Sequence, residues 1–198
     1  MFRKLAFILF FLLTCQAAVL PVCSAAINTA KLSQEAAWIS LDLPLEQRKQ
    51  IDAIIADTLK EASLNGSPTV KTLDFSQMYA LSSYLNEVSD IRETISDRIM
   101  QVLTPQQRRQ MQAQLDKKKS YNDQTTALLM TLNLTDKQQL LIINSLLQCQ
   151  RQALAIVANQ KLSWEDRRKK LEKSNPLRLV SRILTKAQLT DMTIWSKM

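Results

Sequence analysis

The chain has 198 residues and a formal net charge of +8, from 26 Lys+Arg against 18 Asp+Glu, with 46% hydrophobic residues. That apolar share is too high for disorder and is enough for a core, and the length suits one domain or two small ones. It holds no histidine and one glycine, which removes the commonest general base and metal ligand together with phosphate-binding glycine loops.

Arg3 and Lys4 precede the apolar run Leu5–Leu13, and small residues follow as far as Ala25 and Ala26. This is the three-part pattern of a secretory signal over 1–25, cleaved near Ala25 or Ala26. The run is shorter than the ~18–20 apolar residues a membrane span requires. Cleavage would remove Arg3 and Lys4, leaving 24 basic residues against 18 acidic, or +6. It would also remove Cys15 and Cys23, so Cys149 stays alone and an intrachain disulfide is excluded. No later stretch reads as long and apolar enough to span, so no stable membrane insertion is expected after cleavage.

Residues 26–40 read as a short lead-in around Trp38, and from there the apolar spacing is helical. A helix is expected from about Leu45 to Ala62, with Ile51, Ile54, Ile55 and Leu59 on one face and a break at Asn65-Gly66-Ser67-Pro68. A longer one is expected from Phe75 to Val102. Its seam of Met78, Leu81, Leu85, Val88, Ile95, Ile99 and Val102 has coiled-coil spacing and suits a long antiparallel hairpin. Arg92 occupies a seam position. Either its stem packs while its head snorkels to water, or it faces a bound client.

A third helix opens after Thr104, and its apolar face is thin between Leu115 and Leu128. That stretch is either a boundary between halves or an exposed part of one long helix. Further helices are expected from Asp136 to Ala158, from Trp164 to Lys173, after the Asn175 cap at Pro176, and from Lys186. The run Arg167-Arg168-Lys169-Lys170, with Glu165 and Asp166 one turn upstream, reads as a solvated face. Cys149, in register with Ile142, Leu146, Ala153 and Ile156, reads as core, with an intermolecular disulfide or redox switch as the alternative. The fold class is all-α.

One motif recurs at helix starts. Leu103-Thr104-Pro105-Gln106-Gln107, Leu134-Thr135-Asp136-Lys137-Gln138 and Leu184-Thr185-Lys186-Ala187-Gln188 all read L-T-x-x-Q. Leu43-Pro44-Leu45-Glu46-Gln47 is a degenerate fourth, in which Asp42 could cap in place of Pro44. The threonine caps the helix, the glutamine reaches back to the cap, and the leucine packs beneath it.

These windows resemble the LTxxQ family of periplasmic helical proteins, the Spy/CpxP-like group. The match is best over Leu103–Met111, including the basic pair Arg108-Arg109, and over Leu132–Gln139. Two motifs per unit are usual in that family. Four sites therefore suggest two tandem units, 41–122 and 123–198, with 43–47 paired to 103–107 and 134–138 to 184–188. The resemblance implies long helical hairpins in a curved bundle, here as an intrachain pseudo-dimer that stays monomeric. It implies an ATP-independent periplasmic chaperone for unfolded or partly folded envelope proteins under stress. The alternative within the same resemblance is a regulator bound to the periplasmic domain of a sensor kinase.

The residues offered for client binding are Arg48, Lys49, Arg92, Arg108, Arg109, Met111, Lys117, Lys118 and Arg151. Complementary charge would speed encounter and apolar contact would hold the client. Zinc or nickel sites are not expected without histidine, and no cofactor is implied. Serine, lysine and carboxylates occur in no catalytic arrangement, so no enzyme is expected. Export argues against nucleic acid as the partner.

Overall fold

The computed structural model describes residues 34–62, 68–174 and 176–195, with side chains described except at 117–128, 176–178 and 192–195. The expected signal peptide 1–25, the turn at Asn65-Gly66-Ser67 and the Asn175 cap lie outside the described residues. The described residues form helices joined by short links, and among them there is no strand. In chain order these are α1 (Gln34–Ser40), α2 (Leu45–Ala62), α3 (Phe75–Val102), α4 (Pro105–Thr131), α5 (Asp136–Ala158), α6 (Trp164–Lys173), α7 (Pro176–Ser181) and α8 (Lys186–Trp195).

The long helices form where the apolar period says they should. On α3, Leu81, Leu85, Val88, Ile95 and Ile99 are buried, and Met78 and Val102 pack at the edge of the core. Asp74 caps this helix, accepting from the Gln77 backbone N–H, and that bond holds its carboxyl below the usual carboxylate range. The helix α4 is continuous through position 122. It ends at Leu132, after which Asn133 takes a left-handed φ of 48°, the conformation asparagine tolerates best after glycine.

α1 is not a peripheral lead-in. Its residues Glu35, Ala36, Ala37, Trp38 and Ile39 are all buried. It packs against α3, α4, α5 and α6, so core leucines and isoleucines from both halves of the chain meet around it in one cluster. Most globular helices carry one apolar stripe, whereas a helix buried on all sides must satisfy every face.

Arg92 is the largest correction to the sequence reading. It neither snorkels nor faces a client. Its side chain is 1% exposed and its guanidinium is paired with Glu35, Nε donating to Oε1 at 2.6 Å and Nη2 reaching the same oxygen. The seam position is filled by an ion pair that joins α3 to α1. The second oxygen of Glu35 has no hydrogen-bond partner.

α5 is the other correction. It is long and apolar enough to cross a membrane, with a mean hydropathy of 1.3 over its best window. Half of that window is buried inside the protein, as in a core helix. Ile142, Ile143, Leu146, Leu147, Cys149, Ala153 and Val157 pack inward. Gln150 is buried with them, and neither atom of its amide has a partner.

Removing one member of a buried ion pair leaves the other uncompensated, which costs about 3–5 kcal/mol, whereas replacing both by apolar groups is often neutral or stabilising. Arg92→Met should therefore lower unfolding stability by about 3–5 kcal/mol in urea titration, and Glu35→Met combined with Arg92→Met should recover most of that loss.

Candidate functional site

The four motif sites lie in two touching pairs. Thr104 and Thr135 cap α4 and α5 in full capping boxes. Thr185 does the same for α8, its N–H donating to Gln188 Oε1 at 2.9 Å while Gln188 N–H donates to its hydroxyl at 3.3 Å. Leu43, Leu103, Leu134 and Leu184 are all buried, so each leucine pins its helix start to the core.

Each motif glutamine bonds to its partner motif, and Gln107, Gln138 and Gln188 do so besides boxing their own caps. Gln47 Nε2 donates to Gln107 Oε1 at 3.3 Å, and Gln107 Nε2 donates to Gln47 Oε1 at 3.1 Å. Gln138 and Gln188 repeat this exchange, at 2.8 Å and 3.4 Å. Gln47 also reaches the Val102 carbonyl, and Gln138 reaches the Ile183 carbonyl, in each case the residue just before the partner motif's leucine. A primary amide suits this work because it donates and accepts from one planar group.

The residue after the glutamine completes the joint. Arg48 Nε donates to the Leu43 carbonyl at 2.7 Å, Arg108 Nε to the Leu103 carbonyl at 2.9 Å, and Gln139 Nε2 to the Leu134 carbonyl at 2.8 Å. Arg48 also pairs with Asp42 and stacks over the Trp164 ring, its guanidinium carbon 5.4 Å from the ring centre. Arg48 and Arg108 thus do structural work at the helix starts, in addition to presenting charge.

A fifth copy went unread in the sequence. Leu162-Ser163-Trp164-Glu165-Asp166-Arg167 has Ser163 as the cap, accepting from the Asp166 N–H, and Arg167 Nε donating to the Leu162 carbonyl at 3.1 Å. Serine for threonine and aspartate for glutamine hid it; the sixth-position arginine was the signal that could have found it. Arg167 is not part of a solvated face. It is 1% exposed, and Nη1 meets Asp52 Oδ1 at 2.5 Å, beside a Trp164 Nε1 bond to the same oxygen at 3.1 Å. Arg168 also turns inward, donating to the Ile39 and Leu41 carbonyls. Lys169 does sit on the surface, paired with Glu165.

Of the residues offered for client contact, Lys49, Arg109 and Arg151 are exposed, Arg108 is exposed despite its carbonyl bond, and Arg48 is half-buried. Met111 is fully buried among the core residues, which removes it from any surface role, and Arg92 is removed by its ion pair. Lys117 and Lys118 lie on α4, but their side chains are outside the described residues. The surface also carries large apolar side chains the sequence did not single out: Leu45, and Phe75 stacked on Tyr79 one turn along α3.

A groove of about 320 Å³ lies between α2 and α3, and its ionisable lining is Glu61, Glu87 and Asp90, with Ala62 and Ile91 in its wall. Arg98 bonds Glu61 at its edge. Among the described residues no three His, Cys, Asp or Glu side chains come together as a metal site. Cys149 is buried, and burial pushes its thiol up to about 11.

Comparison with known families, with curated proteins and with solved structures finds no match to this chain.

Two outcomes follow. A double-mutant cycle on Gln138→Ala and Gln188→Ala, read by urea denaturation, should return a coupling of about 0.5–1.5 kcal/mol. The second concerns pH. The thiol of Cys149 is ordinarily near 9 and sits near 11 in the fold, so the native state keeps its proton longer than the unfolded state does. Its contribution is fully present below pH 9 and is lost as pH rises to 11. The chain should thus lose about 2–3 kcal/mol relative to Cys149→Ala across that window, and the native thiol should stay unreactive to a disulfide reagent at pH 8.

Proposed function

We propose that the chain is an exported, periplasmic, ATP-independent chaperone that holds unfolded or aggregation-prone envelope proteins during stress. The observation that carries this reading is the mixed surface. Leu45, Phe75 and Tyr79 are 68%, 75% and 70% exposed on a chain of net charge +8. Phe75 and Tyr79 offer an exposed apolar foothold at the start of α3, and the chain's excess of cations draws in acidic segments. Phe75 and Tyr79 stack with ring centres 6.4 Å apart, which makes one apolar platform from two side chains.

The paired joints support the second part of the reading. Motif 43–47 holds 103–107, and 134–138 holds 184–188, through the same glutamine exchange. We take these as two LTxxQ-type units in one chain, an intrachain pseudo-dimer that is monomeric in solution. Lys49, Arg109 and Arg151 then serve as the charged contacts. The acidic α2–α3 groove is a separate surface of opposite sign and has no part in this reading.

The test is light scattering from an unrelated aggregating client, with the chain from Ala26 onward and without ATP. Suppression at near-stoichiometric ratio is expected. Phe75→Ser combined with Tyr79→Ser should weaken it severalfold, and raising salt from 50 to 500 mM should weaken it again by screening the cations. Absence of suppression across several clients would sink the chaperone and favour a regulator dedicated to one sensor-kinase domain, which a pull-down with that domain would then detect.

A further inference from the structure

The outer face of α3 carries a second stripe, which the core does not use. Phe75 and Tyr79 begin it, Ser83 and Asn86 continue it, and Asp90, Glu93 and Asp97 end it. Each is three or four residues from the last and all are exposed, so they share one helix face. The seam of Leu81, Leu85, Val88, Ile95 and Ile99 turns the opposite way, into the core that α1 and α2 share with α3.

The stripe is apolar at its start and acidic at its end. Phe75 and Tyr79 are stacked rings. Glu87, Asp90, Glu93 and Asp97 follow them along the helix, and among the described residues none of these four acids is in an ion pair. Like charges one turn apart disfavour a helix, and this chain has 26 basic residues with which to offset them. Yet both arginines of α3 are turned elsewhere. Arg92 is buried on Glu35, and Arg98 reaches across to Glu61 and the Thr58 hydroxyl of α2.

The groove between α2 and α3 opens beside the acidic part of the stripe. Glu87 and Asp90 line it from α3 and Glu61 from α2, while Ala62 and Ile91 supply apolar wall. Such a slot suits a lysine or arginine, whose stem packs on carbon while its head meets carboxylates. The sign of this face is opposite to the net charge of +8. A cationic partner is therefore repelled by the chain as a whole and held here, which fixes where it docks.

We infer that this face of α3 docks a cationic amphipathic helix of a partner protein, one with lysines or arginines at intervals of three and four at its N-terminal end and large apolar side chains at its other end. The basic end lies along Asp90, Glu93 and Asp97, with one side chain in the groove by Glu61 and Glu87. The apolar end rests on the Phe75 and Tyr79 rings. This antiparallel arrangement also sets the positive end of the partner's macrodipole beside the acids. A helix is the form that matches such spacing over the ~33 Å from Phe75 to Asp97. The inference stands apart from the chaperone reading. The aromatic platform serves both, but the acids have no part in holding a client, so reversing their charge separates the two.

The experiment uses the chain from Ala26 onward and a fluorescein-labelled peptide of about 20 residues, the length of the stripe, with lysines on its first turns and leucine and tryptophan on its last. Anisotropy should show saturable binding, and circular dichroism should show the peptide becoming helical as it binds. Asp90→Lys combined with Glu93→Lys should weaken binding about tenfold or more and remove most of its salt dependence. A peptide with glutamates in place of the lysines should bind that variant and not the wild type. Phe75→Ser combined with Tyr79→Ser should weaken the lysine peptide about fivefold and leave the salt dependence in place. Suppression of client aggregation should persist in the Asp90→Lys, Glu93→Lys chain, so failure of one reading is distinguishable from failure of the other. If that chain does not fold, Asp90→Asn with Glu93→Gln serves in its place. The inference is overturned if folded charge variants bind the lysine peptide as tightly as wild type, if the two peptides bind wild type alike, or if the peptide binds without becoming helical. A dimer in sedimentation that the peptide splits would give the face to a second copy and also overturn it.

Discussion

A helix of seven residues with no exposed face needs a partner on every side, and α1 finds them in four other helices. The bond between Glu35 and Arg92 is the point on which this depends. Arg92 stands in the one polar position of an otherwise apolar seam, so α3 alone cannot bury it. Glu35 alone cannot be buried either. Each makes the other tolerable, and their meeting fixes where α1 lies along α3. Trp38 and Ile39 follow from that register, and the α4, α5 and α6 contacts close around them. Few single charges set so much of the arrangement.

The second organising device is the joint at the helix starts. A capping threonine, a buried leucine and a carbonyl-gripping sixth residue hold one helix by its first turn. The glutamine then serves two helices, boxing its own cap and exchanging amide bonds with the partner joint. Backbone groups at helix ends are otherwise left to water. Here they are taken up in pairs, so the cost of ending one helix is offset at the start of another. Arg48 shows how far the economy goes, since one guanidinium holds a carbonyl, a carboxylate and an indole face.

The sequence made α2, α3, α5 and α6 legible because their apolar residues recur at helical spacing, and α5 also because Thr135 caps it. The pairing of motif sites was legible from their order and their shared pattern. Two things were hidden. An arginine in a seam or a basic run looks the same whether its head meets water or a carboxylate 57 or 115 residues away, and nothing local to Arg92 or Arg167 announces Glu35 or Asp52. A short segment with a single tryptophan gives too few turns for a period, so α1 read as a lead-in when it is the centre. Met111 was misplaced for a related reason: the thin apolar face of α4 hid that its first turns lie against α1. The Ser163 joint was missed because chemistry was conserved there while residue identity was not.

Arg168 reaches across 129 residues to hold the carbonyl of Ile39. A chain that emerges from its N-terminus makes α1 first among the described helices and its fourth wall, α6, some 120 residues later. Until α6 is free to fold, Trp38 has no complete shelter and Glu35 has at most a partial one. The first of the described helices in the order of synthesis is therefore fully enclosed only after α6 has been made, and the interval between the two is when the chain itself most needs a companion.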